Sequence, residues 1–519
     1  MAILYRIFKI FILVATLNFT LSAFAAETTP KREIRAAWVS TVAGNWPSVT
    51  GTDASTISTQ KSEALAILDN LKEHNFNVVY LQVRSHCDVI YPSQYEPWSA
   101  LVTGSRGTST SWNPLQYWID AAHERGLELY AWVNPFRYST TSASFTTTQD
   151  KRLEGHTISY EFTTTDANGK TKTTYNHTLN PGDKDARDMI TEVCVEIVRD
   201  YDVDGIVFDD YFHPNRIPED ETAEDWQTYI NSGSTLSIGD WRRAMNNLAV
   251  SEFYTAIKTQ TGKPWMKFGI SPAGITNLSA SKYGIEIPDE IKEAPDWQYN
   301  EIYADPLAWV YEGTIDFLSP QLYWASDHET NPFGELVKWY SNVCSTLNYK
   351  TIDGLTAKTS SNHNIHMYAS ASAYNSNKYY PDPSNANAYF NEYVTEINST
   401  RNFTQNNAPG MVYYSYKHII AWADFLDHLK IWSYNYQALP PRIDWDNAGT
   451  NPGNITGLKK SSSNLSWDKL TGMRYAVYAI PQSISPSDAK SLTNPEDGGF
   501  SSEYLLGLSY NNSFTIPST

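Results

Sequence analysis

Polar side chains that could do chemistry stand at the ends of several segments with the pattern of β-strands. The pair Asp209–Asp210 ends one such segment, and other segments end near Arg84, Asn134, Gln321 and Tyr323. Carboxylates with amide, guanidinium and aromatic neighbours are the set that glycoside hydrolysis uses. One acid protonates the leaving oxygen, and a second carboxylate acts as nucleophile or base.

Alternation within these strands predicts which side chains share an interior, because every second residue of a strand lies on the same face. In segment 205–210 the large apolar Ile206 and Phe208 should pack outward, which turns Asp209 inward. Asp210 then lies where the strand frays into a loop. A purely structural barrel would carry Val and Ile at the inward positions. The polar residues at the strand ends therefore predict an active site. The alternative is that Asp209 and Asp210 only cap a loop.

The same alternation and the strand ends give a set of substrate-binding candidates: Trp38, Arg84, Trp132, Asn134, Gln321, Tyr323 and Trp324. Asp209 is the strongest catalytic candidate, with Asp210 in support. The second catalytic carboxylate stays open, since four further acids follow predicted strands: Asp88, Glu301, Asp305 and Asp327. Each of these is individually explained as a surface-loop acid.

The sequence lacks the motifs of other kinds of catalytic site. The 11 His residues form no H-x-H or H-E-x-x-H pattern, and G-x-S-x-G, Walker A and G-x-G-x-x-G sequences are absent. The three Cys residues lie far apart, which excludes a disulfide framework and a zinc knuckle. We therefore expect neither a metal nor a cofactor.

Eight β-rich runs alternate with helical patterns, and this alternation predicts a (β/α)8 barrel over residues 31–440. The runs are 34–41, 78–84, 127–134, 205–210, 267–272, 317–324, 365–370 and 411–417. Long insertions at 139–180, 211–240 and 273–310 each follow a strand. They therefore belong to the C-terminal face, where barrel enzymes have their active sites.

The N-terminus has the pattern of a secretory signal peptide over residues 1–25. Arg6 and Lys9 precede an apolar run at 10–21, and a small-x-small cleavage site follows at 23–25. The alternative is a membrane anchor, but Asn18 interrupts the run, which is shorter than the ~20 residues needed to span a bilayer. We expect an exported protein, periplasmic or extracellular, without stable membrane insertion.

The C-terminus differs in composition from the barrel. A polar linker at 441–451 follows the proline-containing break at 438–442, and short alternating segments fill 452–519. They predict a small β-sandwich that is incomplete, because a full sandwich of this kind needs ~100 residues.

Composition narrows the class of partner. The chain of 519 residues has a net charge of −18, which disfavours tracking a nucleic-acid backbone. Its 17 Trp, 35 Tyr and 19 Phe residues suit either a large core or a surface that stacks on sugar rings. The oligomeric state stays open.

Several motifs, taken together and in order, resemble one family of glycosyl-hydrolase-like proteins related to the glycoside hydrolase 10 barrels. They include YLQVRSHCDVIYPSQYEPWS from position 80, AWVNPFRY from 131, DGIVFDDYFHP from 204 and IDFLSPQLYW from 315. The resemblance covers about 31–440 and implies an exported barrel glycosidase. It also implies a peptidoglycan substrate stripped of stem peptides, and a C-terminal fibronectin III-like domain.

The resemblance maps family motifs onto residues of this chain. The Asp pair falls on Asp209 and Asp210, and the arginine at the end of the second strand falls on Arg84, with an acid nearby at Asp88. The family's Y-x-x-x-Y-A-D motif falls on 299–305, ending at Asp305. One departure is Ser85-His86-Cys87, where the family has Pro and small residues, and it puts the shape of this loop in question. The alternatives are a glycosidase for another polysaccharide or a catalytically silent carbohydrate-binding scaffold.

Overall fold

The computed structural model describes residues 29–142, 144–166, 168–352, 355, 363–374, 386–403, 409–422, 424–443, 454–485 and 500–517. The predicted signal peptide and most of the predicted linker lie outside these ranges. Among the residues that the structure describes, no helix has the length and apolar character needed to cross a membrane.

Parallel strands form the predicted (β/α)8 barrel, which is confirmed. The strands are β1 (Ile34–Val39), β2 (Val78–Arg84), β3 (Glu128–Val133), β4 (Gly205–Phe208), β5 (Lys267–Ile270), β6 (Phe317–Leu318), β7 (His366–Met367, continuing as Ala369–Ser372) and β8 (Gly410–Tyr414). The first part of β7 pairs with β6 and its second part pairs with β8, so the sheet closes on itself.

Helices surround the barrel. The longer ones are α1 (Ala54–Glu73), α2 (Pro114–Glu124), α3 (Lys184–Asp200), α4 (Ile238–Gln260), α5 (Pro306–Glu312), α6 (Phe333–Thr346), α7 (Ala386–Phe403) and α8 (Phe425–Trp432). Short helices occupy Ala100–Thr103, Thr148–Lys151, Trp226–Asn231, Asn277–Ala280, Trp297–Glu301 and Tyr416–Ile419. Helix α1 begins before its apolar pattern does, because the Asp53 carboxylate accepts from the backbone N–H groups of Ser55 and Thr56.

Aromatic side chains fill the barrel interior. Trp38, Tyr80, Tyr130 and Trp132 form one buried cluster there with Val207, whereas Ile206 and Phe208 pack outside against the helices, as the alternation predicts. Gly205 makes room for this filling, since a Cβ there would lie 2.8 Å from the Tyr130 ring. The interior is thus a packed core below the strand ends, and any site must lie above it.

The insertion after β3 folds as an antiparallel sheet above the barrel. Its strands are Arg137–Ser139, Thr157–Thr165 and Thr171–Leu179, and Arg137 pairs with Thr178. We call this unit the upper sheet. It places Arg137 and the side chains of the third strand beside the loop that follows β4.

The C-terminal segment forms two small antiparallel sheets, one of Lys459–Ser461, Asn464–Ser466 and Ser513–Thr515, the other of Tyr475–Tyr478 and Leu505–Ser509. The fibronectin III-like assignment stays a prediction. The segment packs on the opposite end of the barrel from the upper sheet. There Arg474 pairs with buried Glu128 and Asp204, and Tyr510 stacks on His123 with ring centroids 3.7 Å apart.

Candidate active site

A cleft of about 220 Å³ opens at the carboxyl ends of the barrel strands. It is lined by Trp38, Trp132, Asp209, Asp210, Tyr211, Ser271, Gln321, Tyr323, Tyr374 and Tyr414. Among these described lining residues, Asp209 and Asp210 supply all of the carboxylates. Side chains from the ends of most barrel strands therefore converge on one acidic pair, as the alternation predicts.

The acidic pair is held by the end of β4. The Asp209 N–H donates to the carbonyl of Val133 at 3.3 Å, which continues the ladder with β3 by one residue. The Asp210 N–H donates to Asp209 Oδ1 at 2.9 Å. Asp210 is only 9% exposed, and Asp209 is half-buried. Both carboxyl groups therefore reach the cleft although they are adjacent in sequence.

Burial and mutual repulsion set the protonation of the pair. Burial raises the pKa of Asp209, while hydrogen bonds to its carboxylate and the charge of Arg137 oppose that rise. Burial also raises the pKa of Asp210, well above its usual range, and the neighbouring Asp209 charge raises it further. The direct interaction of the two side chains lowers the pKa of Asp209 and raises that of Asp210, which favours one shared proton. Because its pKa is raised more strongly, Asp210 is the better proton donor of the pair and Asp209 the better carrier of the charge.

Aromatic rings form the wall around the pair. The Tyr414 ring lies 6.5 Å from Trp38, 6.4 Å from Trp132 and 6.3 Å from Tyr323, centroid to centroid. Tyr374 stands edge-on to Tyr323 at 6.0 Å. Such faces suit the apolar face of a sugar ring.

Polar groups complete the floor of the cleft. Gln321 Nε2 donates to the Ser271 carbonyl at 3.0 Å, and the Trp38 indole N–H donates to Ser370 Oγ at 3.2 Å. The buried Ser271 hydroxyl has no hydrogen-bond partner among the described residues. The floor of the cleft therefore holds a hydroxyl whose hydrogen-bonding capacity the described residues do not use.

Asn134 lies beneath the cleft instead of lining it. It is fully buried, its Oδ1 accepts from the Trp132 indole N–H at 3.1 Å, and its Nδ2 donates to the Ser85 carbonyl at 3.1 Å. The structure therefore places Asn134 behind Trp132 and not among the lining residues of the cleft, and its role in substrate binding stays a prediction.

Arg84 does not reach the barrel mouth, which corrects its predicted placement. The pairing of β2 with β3 shifts register between Gln82 and Arg84, and such a bulge turns the following side chain away from its expected face. The Arg84 guanidinium is fully buried and donates to Glu96 at 2.8 Å and to the Pro135 carbonyl at 2.7 Å. It holds the loop after β3.

Two predicted acids also lie outside the cleft. Asp88 accepts from Ser85 Oγ at 2.8 Å and pairs with Arg106 at 3.0 Å, so it fixes the loop after β2. Asp305 caps helix α5 and accepts from the Tyr283 hydroxyl at 3.3 Å. The structure does not bring either carboxylate to Asp209.

Of the remaining strand-end candidates, three lie outside the cleft and two line it. Glu301 pairs with Arg216 at 3.5 Å, and Asp327 is exposed on the loop after β6. Trp324 packs partly buried against the outer core. Gln321 and Tyr323 line the cleft.

Five residues at or beside the cleft were missed by the sequence reasoning: Arg137, Tyr211, Ser271, Tyr374 and Tyr414. The alternation could have found two of them, because Ser271 and Tyr414 continue the inward positions of β5 and β8. Tyr211 directly follows the acidic pair. Arg137 and Tyr374 come from segments beyond the barrel strands, where the alternation of the barrel does not apply.

Among the described residues, one group of side chains has the spacing to bind a metal ion. It comprises His156, Asp183 and Asp185, away from the cleft. His156 Nδ1 and Asp183 Oδ2 already share a hydrogen bond of 2.6 Å, and Asp183 caps helix α3. The hydrogen bond to His156 and the cap of helix α3 account for the position of Asp183 without a metal ion. The expected absence of a metal stays a prediction.

Comparison with known proteins places the chain in a family. The model of the family Glycosyl hydrolase-like 10 matches residues 33–369, from β1 into β7. The chain belongs to this family. It is 30% identical over 446 residues to the glycosyl hydrolase YngK of Bacillus subtilis, which covers 85% of this chain and 79% of that protein. It is 31% identical over 321 residues to the glycosyl hydrolase DigH of Escherichia coli K12, covering 60% of this chain and 70% of that protein.

Solved structures that align with the chain have much lower sequence identity to it. The glycoside hydrolase domain of PgaB (BpsB) from Bordetella bronchiseptica aligns with 77% of this chain and 98% of its own, at 12% identity and a TM-score of 0.46. The catalytic domain of the β-amylase from Paenibacillus polymyxa aligns with 78% and 99%, at 8% identity and a TM-score of 0.46.

Proposed function

We propose that this family member hydrolyses glycosidic bonds of an N-acetylated cell-wall glycan, namely peptidoglycan glycan strands free of stem peptides. The observation that carries the proposal is the hydrogen-bonded pair Asp209–Asp210 at the mouth of the barrel, within an aromatic wall. A proton donor beside a fixed charge is what cleavage of an acetal requires. The names of the two relatives support the same class of reaction.

The closeness of the two carboxyl groups bears on the mechanism. Glycosidases that use two carboxylates hold them ~5–5.5 Å apart for retention or ~6.5–9.5 Å apart for inversion. The carboxyl groups of Asp209 and Asp210 instead interact directly and titrate as one pair, so they do not act as two separated groups. Neither Asp88 nor Asp305 lines the cleft to supply a separated carboxylate. The nucleophile must come from elsewhere.

An N-acetylated substrate brings its own nucleophile. In the mechanism we propose, Asp210 gives its proton to the leaving oxygen as the bond from that oxygen to the anomeric carbon breaks. The carbonyl oxygen of the 2-acetamido group bonds to the same carbon, and ionised Asp209 accepts the acetamido N–H and stabilises the positive ring that forms. Water then attacks the anomeric carbon as the bond between that carbon and the acetamido oxygen breaks, and it returns a proton to Asp210. The acetamido group is restored, so the net reaction is hydrolysis with retention.

Activity should depend on pH with two limbs. As the pH falls, Asp209 takes up a proton and activity is lost; because burial raises the pKa of Asp209, this limb lies above the ~3.9 of an ordinary aspartate. As the pH rises, Asp210 loses its proton, and its more strongly raised pKa sets a higher second limb. Because the two carboxyl groups interact, both apparent pKa values in the profile describe the pair as a whole. The pH profile of kcat/KM checks this, and a profile lacking the alkaline limb would contradict the role of Asp210.

We also propose that the protein works outside the cytoplasm, where its substrate lies. Residues 1–25 support this by their signal-peptide pattern. Mass spectrometry of the mature N-terminus after cell fractionation tests it. A chain that starts at Met1 in the cytoplasmic fraction would overturn the proposal.

A panel of glycans tests the proposed substrate. Peptide-free peptidoglycan strands, chitooligosaccharides and cello-oligosaccharides differ in whether they carry 2-acetamido groups. The protein should cleave peptide-free strands best, chitooligosaccharides more slowly and cello-oligosaccharides not at all. Cleavage of cello-oligosaccharides at a comparable rate would contradict the need for an acetamido group.

A further inference from the structure

A second chamber of about 140 Å³ adjoins the cleft on the far side of Asp210 and Tyr211, which line both spaces. Its walls come from the upper sheet, through Arg137, His177 and Thr178, and from the exposed face of Trp297. If a glycan strand is bound across the acidic pair, the sugar next to the scissile bond would lie in this chamber.

Arg137 in this chamber differs from the other arginines that lie in or near the core. Its guanidinium lies over the Tyr211 ring, 3.7 Å from the centroid, and its buried Nε has no hydrogen-bond partner among the described residues. The other arginines each hold a carboxylate: Arg35 with Glu33, Arg84 with Glu96, Arg106 with Asp150, Arg187 with Glu252 and Arg242 with Asp225. The charge of Arg137 acts on Asp209 and Asp210, but it forms no salt bridge with a carboxylate of the described residues. Arg137 thus keeps donors for a carboxylate of a bound ligand.

Further polar groups of the chamber are also buried without a partner. His177 Nε2 and the Thr178 hydroxyl belong to residues that are each 5% exposed, and neither atom has a hydrogen-bond partner among the described residues. Unsatisfied buried polar groups are rare because each costs free energy. Several of them around one chamber, beside an aromatic platform at Trp297, fit a polar ligand with an apolar face.

We propose that this chamber is the subsite for a sugar that carries a free carboxylate, and that Arg137 binds that carboxylate. The inference rests on the proposed function, and it names the feature of the glycan that is recognised. Peptide-free strands carry a carboxylate on the lactyl group of alternate sugars, whereas a stem peptide converts it to an amide. The amide loses the charge and adds bulk, so Arg137 would make the protein selective for stripped strands.

Binding to paired glycans tests the subsite independently of turnover. Two probes are used, peptide-free strands and the same strands with their carboxylates converted to methylamides. Titration calorimetry is done on the Asp210→Asn protein, so that no probe is consumed. The acidic strand should bind about 10- to 100-fold more tightly than the amide, as expected for a charge-assisted bidentate hydrogen bond. Arg137→Gln in the same background should reduce this ratio to near one, and Arg137→Lys should restore part of it.

Arg216→Gln is the matched control, because Arg216 is a nearby exposed arginine that pairs with Glu301 and does not line the chamber. It should leave the ratio of affinities unchanged. Thermal unfolding of each variant shows whether it is folded.

Equal affinity of the parent protein for both probes would overturn the subsite, as would an equal loss on both probes in Arg137→Gln. If Arg137→Gln weakens binding of both probes equally and also shifts the pH profile of kcat/KM, Arg137 acts only on the charges of Asp209 and Asp210 and does not bind the carboxylate of the glycan. If the wild-type protein cleaves neither probe but the Arg137-dependent ratio holds, the proposed hydrolysis fails and the subsite stands.

Discussion

Asp210→Asn should lower kcat on peptide-free glycan strands by about 10²- to 10⁴-fold, because it removes the proton donor to the leaving oxygen. A glycoside of the same sugar with a dinitrophenyl leaving group needs no proton, so its bond cleavage should be much less affected. Steady-state kinetics on the two substrates measures the difference. A similar loss on both would contradict the assignment of Asp210 as the acid.

The same substitution should stabilise the fold at neutral and alkaline pH. A group whose pKa is raised in the folded state favours folding when protonated, and that contribution is lost as the pH rises from the unfolded value of ~3.9 through the folded pKa. Asparagine has no proton to lose, so the variant should unfold at a higher temperature than the wild type above that range. Asp327→Asn is the control, because Asp327 is exposed and outside the cleft.

Asp209→Asn should cause a comparable loss of kcat that an activated leaving group does not rescue. Asp209 is assigned to the acetamido group, which must attack whatever the leaving group is. The variant should also bind more weakly to a thiazoline analogue of the cyclised sugar, since the ionised carboxylate that holds its ring nitrogen is gone. Inhibition constants of the wild type and the variant measure this.

A covalent sugar on Asp209 would contradict this assignment. A 2-deoxy-2-fluoro glycoside with a good leaving group traps enzymes whose own carboxylate is the nucleophile. We expect no adduct by intact-mass analysis after exposure to it. An ester found on Asp209 by peptide mapping would make Asp209 the nucleophile and the acetamido group a bystander.

The barrel and the acidic pair could be predicted because each depends on local pattern. Strands buried on both faces leave apolar runs, and alternation along β4 turns Asp209 inward with Val207 while Ile206 and Phe208 pack outside. Gln321, Tyr323, Trp38 and Trp132 follow the same rule and line the cleft.

The predictions for Arg84 and Asn134 show where local pattern ends. A register shift in β2 is a property of the pair of strands, and nothing in the sequence of β2 alone marks it. Asn134 keeps the expected end of its strand, but the Trp132 indole and the Ser85 carbonyl satisfy its amide. Which polar residue is buried by partners and which stays accessible is decided by tertiary contacts.

The second carboxylate and Arg137 illustrate the same limit. Asp88 and Asp305 are acids at plausible positions, and only the structure shows that one pairs with Arg106 and the other caps helix α5. Arg137 is conspicuous only once the partners of the other arginines are known. A lack of partners is a three-dimensional property.

The anomeric configuration of the first product tests the central claim most directly. The wild-type protein is mixed with peptide-free strands, whose linkages are β, and the newly formed reducing ends are followed by proton NMR before mutarotation. Attack by the acetamido group predicts that the β-anomer forms first and that one water is added per bond. Initial release of the α-anomer would contradict the account, because direct attack by water would then replace the substrate's own nucleophile.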